Sequence, residues 1–555
     1  MNIVLVAINA KFIHASLAVY SLHAYLGKDK EHVTIKEFTI NQSEDLIISE
    51  LFGLNPDVLA FSCYIWNISL VLSIVQTFKK ILPDVKIIAG GPEASFEYEG
   101  LFESGVDIVV SGEGEQAFKA LVHSLINQVP IEAMPEVEIP IGKISRVYKA
   151  REVVPLADIP FSYQGTLQDF HNRLIYYETS RGCPNRCGFC LSSTTQGVRF
   201  LPISRVKMDL SKFLSAKVRR VKFVDRTFNC NKRHAMDIWA FLIQNDNGVT
   251  NFHFEIDAGL LDDEMIGLIG QARKGLFQFE IGVQSTNPKT LIAIRRNTNT
   301  QTLLANTLKL KSLGTAHLHL DLIIGLPYEN YESFARSFND TFFCFPDKLQ
   351  VGHLKLLKGS ALRNECERYG IQFKNNAPYE ILSNDFMGFA VINKLQKIGD
   401  MVDLFYNAKG FWCFVMYMIQ KFETPFDFFS ALSTYWEQNS YHLVKHKKIT
   451  LYTILYEFGK TNENILKVDI MAVSELLKFD MLLHENIRTF PSWIESYYQY
   501  DTKQITRTSG IHGFAYDICT WLEQMDDKKG QINLLQKEEI RVLFDYSTKK
   551  TVWRL

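Results

Sequence analysis

Cys183-Pro-Asn-Arg-Cys187-Gly-Phe-Cys190 places three of the chain's nine cysteines within eight residues. The residues just before it, Leu174 to Ser180 (LIYYETS), have the apolar and aromatic make-up of a strand, so the thiols fall in the loop at its carboxyl end. A thiol cluster in a chain otherwise sparse in cysteine points to metal ligation in a reducing compartment, not to a disulfide framework. Three thiolates in one compact loop can ligate three irons of a cubane and leave the fourth iron open. A zinc knuckle needs four ligands, usually as two separated pairs; only Cys230 and His234 remain to complete one. A fully ligated ferredoxin-type cluster would need a fourth cysteine in the run. The open cluster suits the run as it stands.

Working outward, five further strand patterns follow: Val221 to Phe228, Phe252 to Ala258, Leu276 to Ser285, His317 to Leu326 and Lys348 to Leu357. The segments between them, such as HAMDIWAFLIQ and TLLANTLKLKSLG, carry apolar residues at helical spacing. Six strand–helix units predict an open partial (β/α)6 barrel over residues 173–369. In such an array, chemistry is sought at the carboxyl ends of the strands.

Upstream, NIVLVAIN, HVTIKEFTI, VLAFSCYI, VKIIAGG and DIVVSG alternate with amphipathic segments. Short, continuous apolar strands of this kind predict a parallel sheet covered on both faces, a doubly wound, Rossmann-like α/β domain over 1–127. Residues 128–172 are Pro-rich without a sustained period (Pro130, Pro135, Pro140, Pro155, Pro160) and read as a linker with one or two short strands. From about Gly370 the alternation fades into an aromatic, mostly helical region, 370–555, with weak strand patterns near Ile505 and Val542. There the polar run Arg507 to Asp517 reads as a loop or surface turn.

At 555 residues, 47% hydrophobic and 22% charged, the chain has the composition of a globular protein with several cores. A net charge of −1 gives no support for a general grip on nucleic acid or an anionic membrane. The N-terminus lacks the pattern of a signal peptide, and Phe411 to Ile419 (FWCFVMYMI) is too short to span a bilayer and reads as a buried helix. A cytoplasmic location is expected.

The Cx3CxxC run, with Phe189 before its last cysteine, at the head of a partial barrel resembles the radical S-adenosylmethionine (radical SAM) superfamily. The resemblance implies a [4Fe–4S] cluster on Cys183, Cys187 and Cys190. Its open iron would take the amino and carboxylate groups of SAM, and reductive cleavage would yield a 5′-deoxyadenosyl radical. It also implies an electron donor of the flavodoxin or ferredoxin type. Asp225 and Arg226 stand where the superfamily usually places a Gly-Gly-Glu-like stretch, with no glycine pair here. Glu280, Gln284 and Ser285 resemble ribose-contacting positions, and Gly325 lies where a glycine meets adenine. As structural residues, Asp225 and Arg226 would close the barrel end, Ser285 would cap a helix, and Gly325 would make a turn.

The strand ends of the first domain are Ser62 and Tyr64, then Gly90, Gly91, Pro92 and Glu93, then Ser111, Gly112, Glu113, Gly114 and Glu115. Ligands of doubly wound sheets settle at such ends. Ahead of a radical SAM core these residues resemble the cobalamin (B12)-binding domain of B12-dependent radical SAM enzymes. The cobalt-ligating Asp-x-His-x-x-Gly loop of many B12 proteins is missing. His14 is a lone imidazole nearby, a packing residue or a cobalt ligand. The resemblance leads to a B12-dependent radical SAM methyltransferase acting on an unactivated carbon. A B12-dependent cyclase or rearrangement enzyme is the second reading, and a non-catalytic cluster- and cobalamin-binding sensor the third. The substrate is not legible.

Overall fold

The computed structural model describes residues 1–139, 146–165, 167–170, 172–485, 490–494, 509–526, 535–545 and 551–554. The first sheet contains β1 (Ile3–Asn9), β2 (Val33–Thr39), β3 (Val58–Ser62), β4 (Lys86–Gly90), β5 (Ile108–Val110), β6 (Val137–Glu138) and β7 (Val147–Ala150). Their order is β2-β1-β3-β4-β5-β7-β6, parallel except for the β6–β7 pair. The two short strands of the Pro-rich segment thus extend the edge of this sheet; Pro140 lies outside the described residues.

Every residue of β1 is buried, because both faces are covered. Val4, Val6 and Ile8 enter one core, and Ile3, Leu5 and Ala7 enter the other. Period-two side chains on a sheet between two helix layers require this split. At about 25 cal/mol per Å² of apolar surface, each large side chain contributes roughly 2 kcal/mol to holding a layer.

The second sheet has six parallel strands in the order β15-β14-β13-β12-β11-β8, namely β8 (Leu174–Tyr177), β11 (Arg220–Phe223), β12 (Asn251–Ile256), β13 (Phe277–Gln284), β14 (His317–Ile324) and β15 (Lys348–His353). Two short strands, β9 (Ser180–Gly182) and β10 (Val198–Phe200), pair antiparallel beside it. In β13, Phe277, Phe279, Ile281 and Val283 are buried against the helices. Its alternate residues Gln278, Glu280, Gly282 and Gln284 are half-buried on the inner face. The inner wall is therefore polar, unlike the apolar plug of a closed eight-stranded barrel.

Helices Phe389–Met401, Trp412–Ile419, Pro425–Gln438, Lys448–Thr461 and Ile470–His484 continue the barrel's core without a break. The helix predicted over 411–419 is present, with Cys413 to Ile419 buried. Asn407 bonds both Leu349 N (2.9 Å) and Leu349 O (2.8 Å), satisfying the free edge of β15 as a neighbouring strand would. The region is not wholly helical, since Ser509–Phe514, Ile540–Asp545 and Thr551–Arg554 form an antiparallel sheet. The run read as a loop from Arg507 is thus a strand over Ser509–Phe514. It is held by backbone pairing and by Glu475 and Lys478, which bond Ala515 N and Gly513 O. Ile505, Arg507 and Thr508 lie outside the described residues. Among the described residues no helix is long and apolar enough to cross a membrane.

Candidate cluster and cofactor site

The cysteine loop is closed at its base by the β9–β10 pairing, which opposes Gly182 to Val198. Gly182 has φ +107, and a Cβ there would meet Gly197 O at 2.2 Å, so only glycine fits. Two backbone bonds pin the loop to the barrel rim: Gly188 N donates to Ile294 O (2.8 Å), and Leu362 N donates to Gly188 O (2.7 Å). Cys187 is buried, while Cys183 and Cys190 are half-buried. Burial pushes the Cys187 thiol up, the neighbouring thiols add to this, and Arg296 pulls it down. The Arg296 Nη1 lies 3.8 Å from Cys187 Sγ, and Thr227 Oγ1 lies 3.3 Å from Cys183 Sγ. Cys183, Cys187 and Cys190 form no disulfide.

These thiols suit a cluster better than a single ion. Among the described residues, the set of metal-ligating groups whose donor atoms all lie within 4.8 Å is Glu280, His319 and Asp321, so the sulfurs are more widely spread. His234, one of the two residues left to complete a zinc site, is occupied at Nε2 by Thr179 Oγ1 (3.2 Å).

Between the two sheets lies a cavity of about 750 Å³. The first domain contributes Ser62, Tyr64, Gly90, Gly91, Pro92, Gly112, Glu113, Gly114 and Glu115 from its strand ends. The barrel contributes Tyr176, Glu178, Arg181, Lys222, Arg226 and Glu255, and Leu191 and Ser192 follow directly on Cys190. Gly112 has φ +75, and no atom lies within 4 Å of where its Cβ would be, so its missing side chain leaves room on the cavity wall. Trp66 stacks on Tyr64 at 4.4 Å and 7° and donates from Nε1 to Ile8 O, setting a flat aromatic surface on the same wall. A large planar cofactor fits such a wall.

Several sequence-predicted contacts are directed elsewhere. Asp225 is buried and accepts from Thr179 N (3.0 Å), Thr179 Oγ1 (2.6 Å) and Ser180 Oγ (2.6 Å), so it braces the start of the cysteine loop instead of facing an amino group. It does not pair with Arg226, which lines the cavity 3.8 Å from Glu255. Ser285 donates to the buried Glu329 (2.5 Å) and accepts from Asn287 N (3.0 Å), leaving no free hydroxyl for a ribose. Glu280 is engaged by Lys222 Nζ (2.9 Å) and His253 Nε2 (2.9 Å). Gly325 has φ +87 and abuts Ile381, whose Cγ2 would meet a Cβ at 2.8 Å. In the first domain, Glu93 accepts from Tyr379 Oη (2.7 Å), and Ser111 Oγ donates to Ser95 O (3.4 Å).

Gln284 differs from these. Its Oε1 is buried without a hydrogen-bond partner, an acceptor awaiting a donor. Its amide folds over Gly282, where any Cβ would lie 2.2 Å from Nε2. His14 Nδ1 lies 2.7 Å from Tyr176 Oη, and burial, followed by Lys11, Lys222 and Arg173, holds its imidazole below the ordinary value.

The sequence reading missed Arg181, Trp66, Arg296 and the inward-facing Lys222 and Glu255. Arg181 carried one signal, an arginine two residues ahead of the first cysteine. For Lys222 and Glu255, strand alternation alone marked which faced inward; Trp66 and Arg296 lie in loops and carried no such signal.

A doubly wound sheet and a half barrel share one cavity beside a three-thiol loop, and each part of the chain matches a family model of its own. Residues 3–122 match the B12 binding domain, 177–341 the Radical SAM superfamily, and 367–534 a protein family of unknown function (DUF4080). The chain is 29% identical over 359 residues to the cobalamin-dependent radical SAM methyltransferase TokK of Streptomyces tokunonensis, covering 57% of this chain and 50% of that protein. It spans about half the length of the curated relatives it matches. The fold is that of the cobalamin-dependent S-adenosylmethionine radical enzyme OxsB (TM-score 0.60, 14% identity, 95% of this chain and 84% of that one). It is also that of the radical S-adenosylmethionine methyltransferase TsrM from Kitasatospora setae (TM-score 0.54, 15% identity, 69% and 80%). The radical SAM domain implies SAM and a [4Fe–4S] cluster, and the B12-binding domain implies cobalamin. Radical SAM chemistry in general draws on an external electron donor.

Proposed function

We propose that this chain is a cobalamin-dependent radical SAM methyltransferase that acts on an unactivated carbon. The observation that carries the reading is the single cavity whose two walls are the strand ends of the B12-binding sheet and of the radical SAM barrel, with the cysteine loop at its rim. When bound, the cluster with SAM supplies a carbon-centred radical and cobalamin supplies methyl-group transfer.

Cys183, Cys187 and Cys190 would hold the cluster, and Arg296 would set a positive charge beside it. Gln284 and Arg226 offer an acceptor and a cation to SAM's ribose and carboxylate. Gly90, Gly91, Gly112, Gly114, Ser62, Tyr64 and Trp66 form the wall for cobalamin. His14, neutral and tied to Tyr176, serves as a packing residue between the domains and not as a cobalt ligand. Residues 1–127 with the strands of the linker act as the cobalamin module, 173–369 as the radical core, and 370–555 as a cap. A flavodoxin- or ferredoxin-type donor in a reducing cytoplasm is the fitting electron source, given the unbridged thiols of Cys183, Cys187 and Cys190.

The test is anaerobic reconstitution with iron, sulfide and cobalamin, followed by product analysis after reduction with candidate substrates supplied. S-adenosylhomocysteine together with 5′-deoxyadenosine supports methylation. Deoxyadenosine alone turns the reading to cyclisation or rearrangement, and intact SAM turns it to a sensing role.

A further inference from the structure

The inner face of the half barrel carries a second set of metal-ligating side chains, away from the cysteine loop. His253 on β12, Glu280 on β13, and His319 and Asp321 on β14 project from adjacent strands. Donor atoms of Glu280, His319 and Asp321 all lie within 4.8 Å of one another, and His253 Nε2 lies 2.9 Å from Glu280 Oε2. None of the four is among the residues that line the interdomain cavity.

The contacts inside this set are close, His253 against Glu280 and His319 against Asp321. His319 is 5% exposed. Its Nε2 lies 2.6 Å from Asp321 Oδ1. Both atoms, with His253 Nε2, are buried without a hydrogen-bond partner. Buried polar atoms are ordinarily satisfied, and an orphaned one marks a ligand, water or ion. Imidazole nitrogens and carboxylate oxygens converging in a buried site are also what the ligands of a shared cation present. Lys222 Nζ neutralises Glu280 and Glu255, at 2.9 and 3.5 Å. Among the described residues no lysine or arginine lies within ion-pair distance of Asp321, whose carboxylate meets His319 at 2.6 Å.

We propose that Glu280, His319 and Asp321, with His253 as a fourth donor, bind a divalent transition-metal ion of the zinc or iron(II) class inside the barrel, separate from the cluster. Two imidazoles and two carboxylates are the donor set those ions favour, whereas calcium and magnesium favour oxygen alone. The site rests on the barrel's geometry and not on the methyl-transfer reading.

The experiment is an anaerobic titration of the full-length, cluster-loaded protein with Zn2+ against a chromophoric chelator, after loosely held metal has been stripped. One equivalent of Zn2+ beyond the cluster iron is expected in the wild type. His319→Ala and Asp321→Asn are each expected to weaken it by about 100-fold or more, with iron content and cluster absorbance unchanged. No uptake by the wild type, or wild-type affinity in both variants, overturns the proposal. Should His319→Ala fail to fold, the near-isosteric Asp321→Asn decides alone. A protein that takes up Zn2+ but does not cleave SAM would count against the proposed reaction and not against this site.

Discussion

Arg181 joins the two domains through Glu115, its Nη2 lying 2.8 Å from Glu115 Oε1. The same guanidinium holds Glu113 Oε2 (2.7 Å) and Glu178 Oε2 (2.7 Å). It stands two residues before Cys183, so the loop of cluster cysteines is tethered to the B12-binding sheet. Removing one member of this half-buried set leaves its partners with uncompensated charge. Arg181→Leu is therefore expected to lower both cluster content and cobalamin affinity, with Arg181→Lys intermediate. Iron analysis and a cobalamin titration on the same preparation check this, and unchanged values for both would refute the coupling.

Glu115 supplies a pH test of that tether. Burial pushes its carboxyl up, but the charge and hydrogen bonds of Arg181 outweigh this and hold it below the ordinary value. A depressed folded value gives stability that is complete above the unfolded value of roughly 4.3 and is lost as pH falls through the folded one. Glu115→Gln should thus be less stable than wild type near neutrality, with the gap closing under acid conditions. Denaturant unfolding across that range measures it.

Asp225 has the opposite sign. Burial raises it to about 6, against the hydrogen bonds from Ser180 and Thr179 that pull it down. A folded value above the unfolded one favours the protonated form, so stability falls as pH rises from about 4 to 6. Asp225→Asn should flatten this slope. Asp225→Ala should cost about 1–3 kcal/mol by orphaning the buried Thr179 N–H. Thermal melts of both variants at several pH values decide it.

Arg296 is expected to tune the cluster. A guanidinium 3.8 Å from Cys187 Sγ favours the more negatively charged, reduced state. Arg296→Gln should shift the reduction potential downward, and Arg296→Lys should restore part of the shift. Anaerobic redox titration reads the effect; an unmoved potential would remove Arg296 from the cluster's electrostatics.

Gly91 is the most exacting point of the proposed cobalamin wall. At φ +101, with Cys63 O placed 2.7 Å from any Cβ, alanine must displace the end of β4. Gly91→Ala should weaken cobalamin binding while leaving the cluster loaded, as visible spectra of the two chromophores would report.

Much of the architecture was legible because periodicity encodes it. The unbroken apolar run of β1 announced a sheet covered on both faces, and FQFEIGVQ announced a strand of the second array. The cysteine spacing identified the cluster loop without reference to any contact. Where the reading strayed, a polar residue at a strand end was taken to face a ligand. Asp225, Ser285 and Glu93 each sit at such an end, and each is consumed by a partner distant in sequence: Thr179, Glu329 and Tyr379.

The sequence by itself therefore determined the two α/β arrays, their order and the thiol loop, since these follow from local patterns of side-chain chemistry. Only the tertiary structure decided which polar groups face the cavity, that Arg181 ties the loop to the other domain, and that His253, Glu280, His319 and Asp321 meet. Those facts depend on strand register and domain docking, which bring together residues tens to hundreds of positions apart and leave no trace in any short window of the chain.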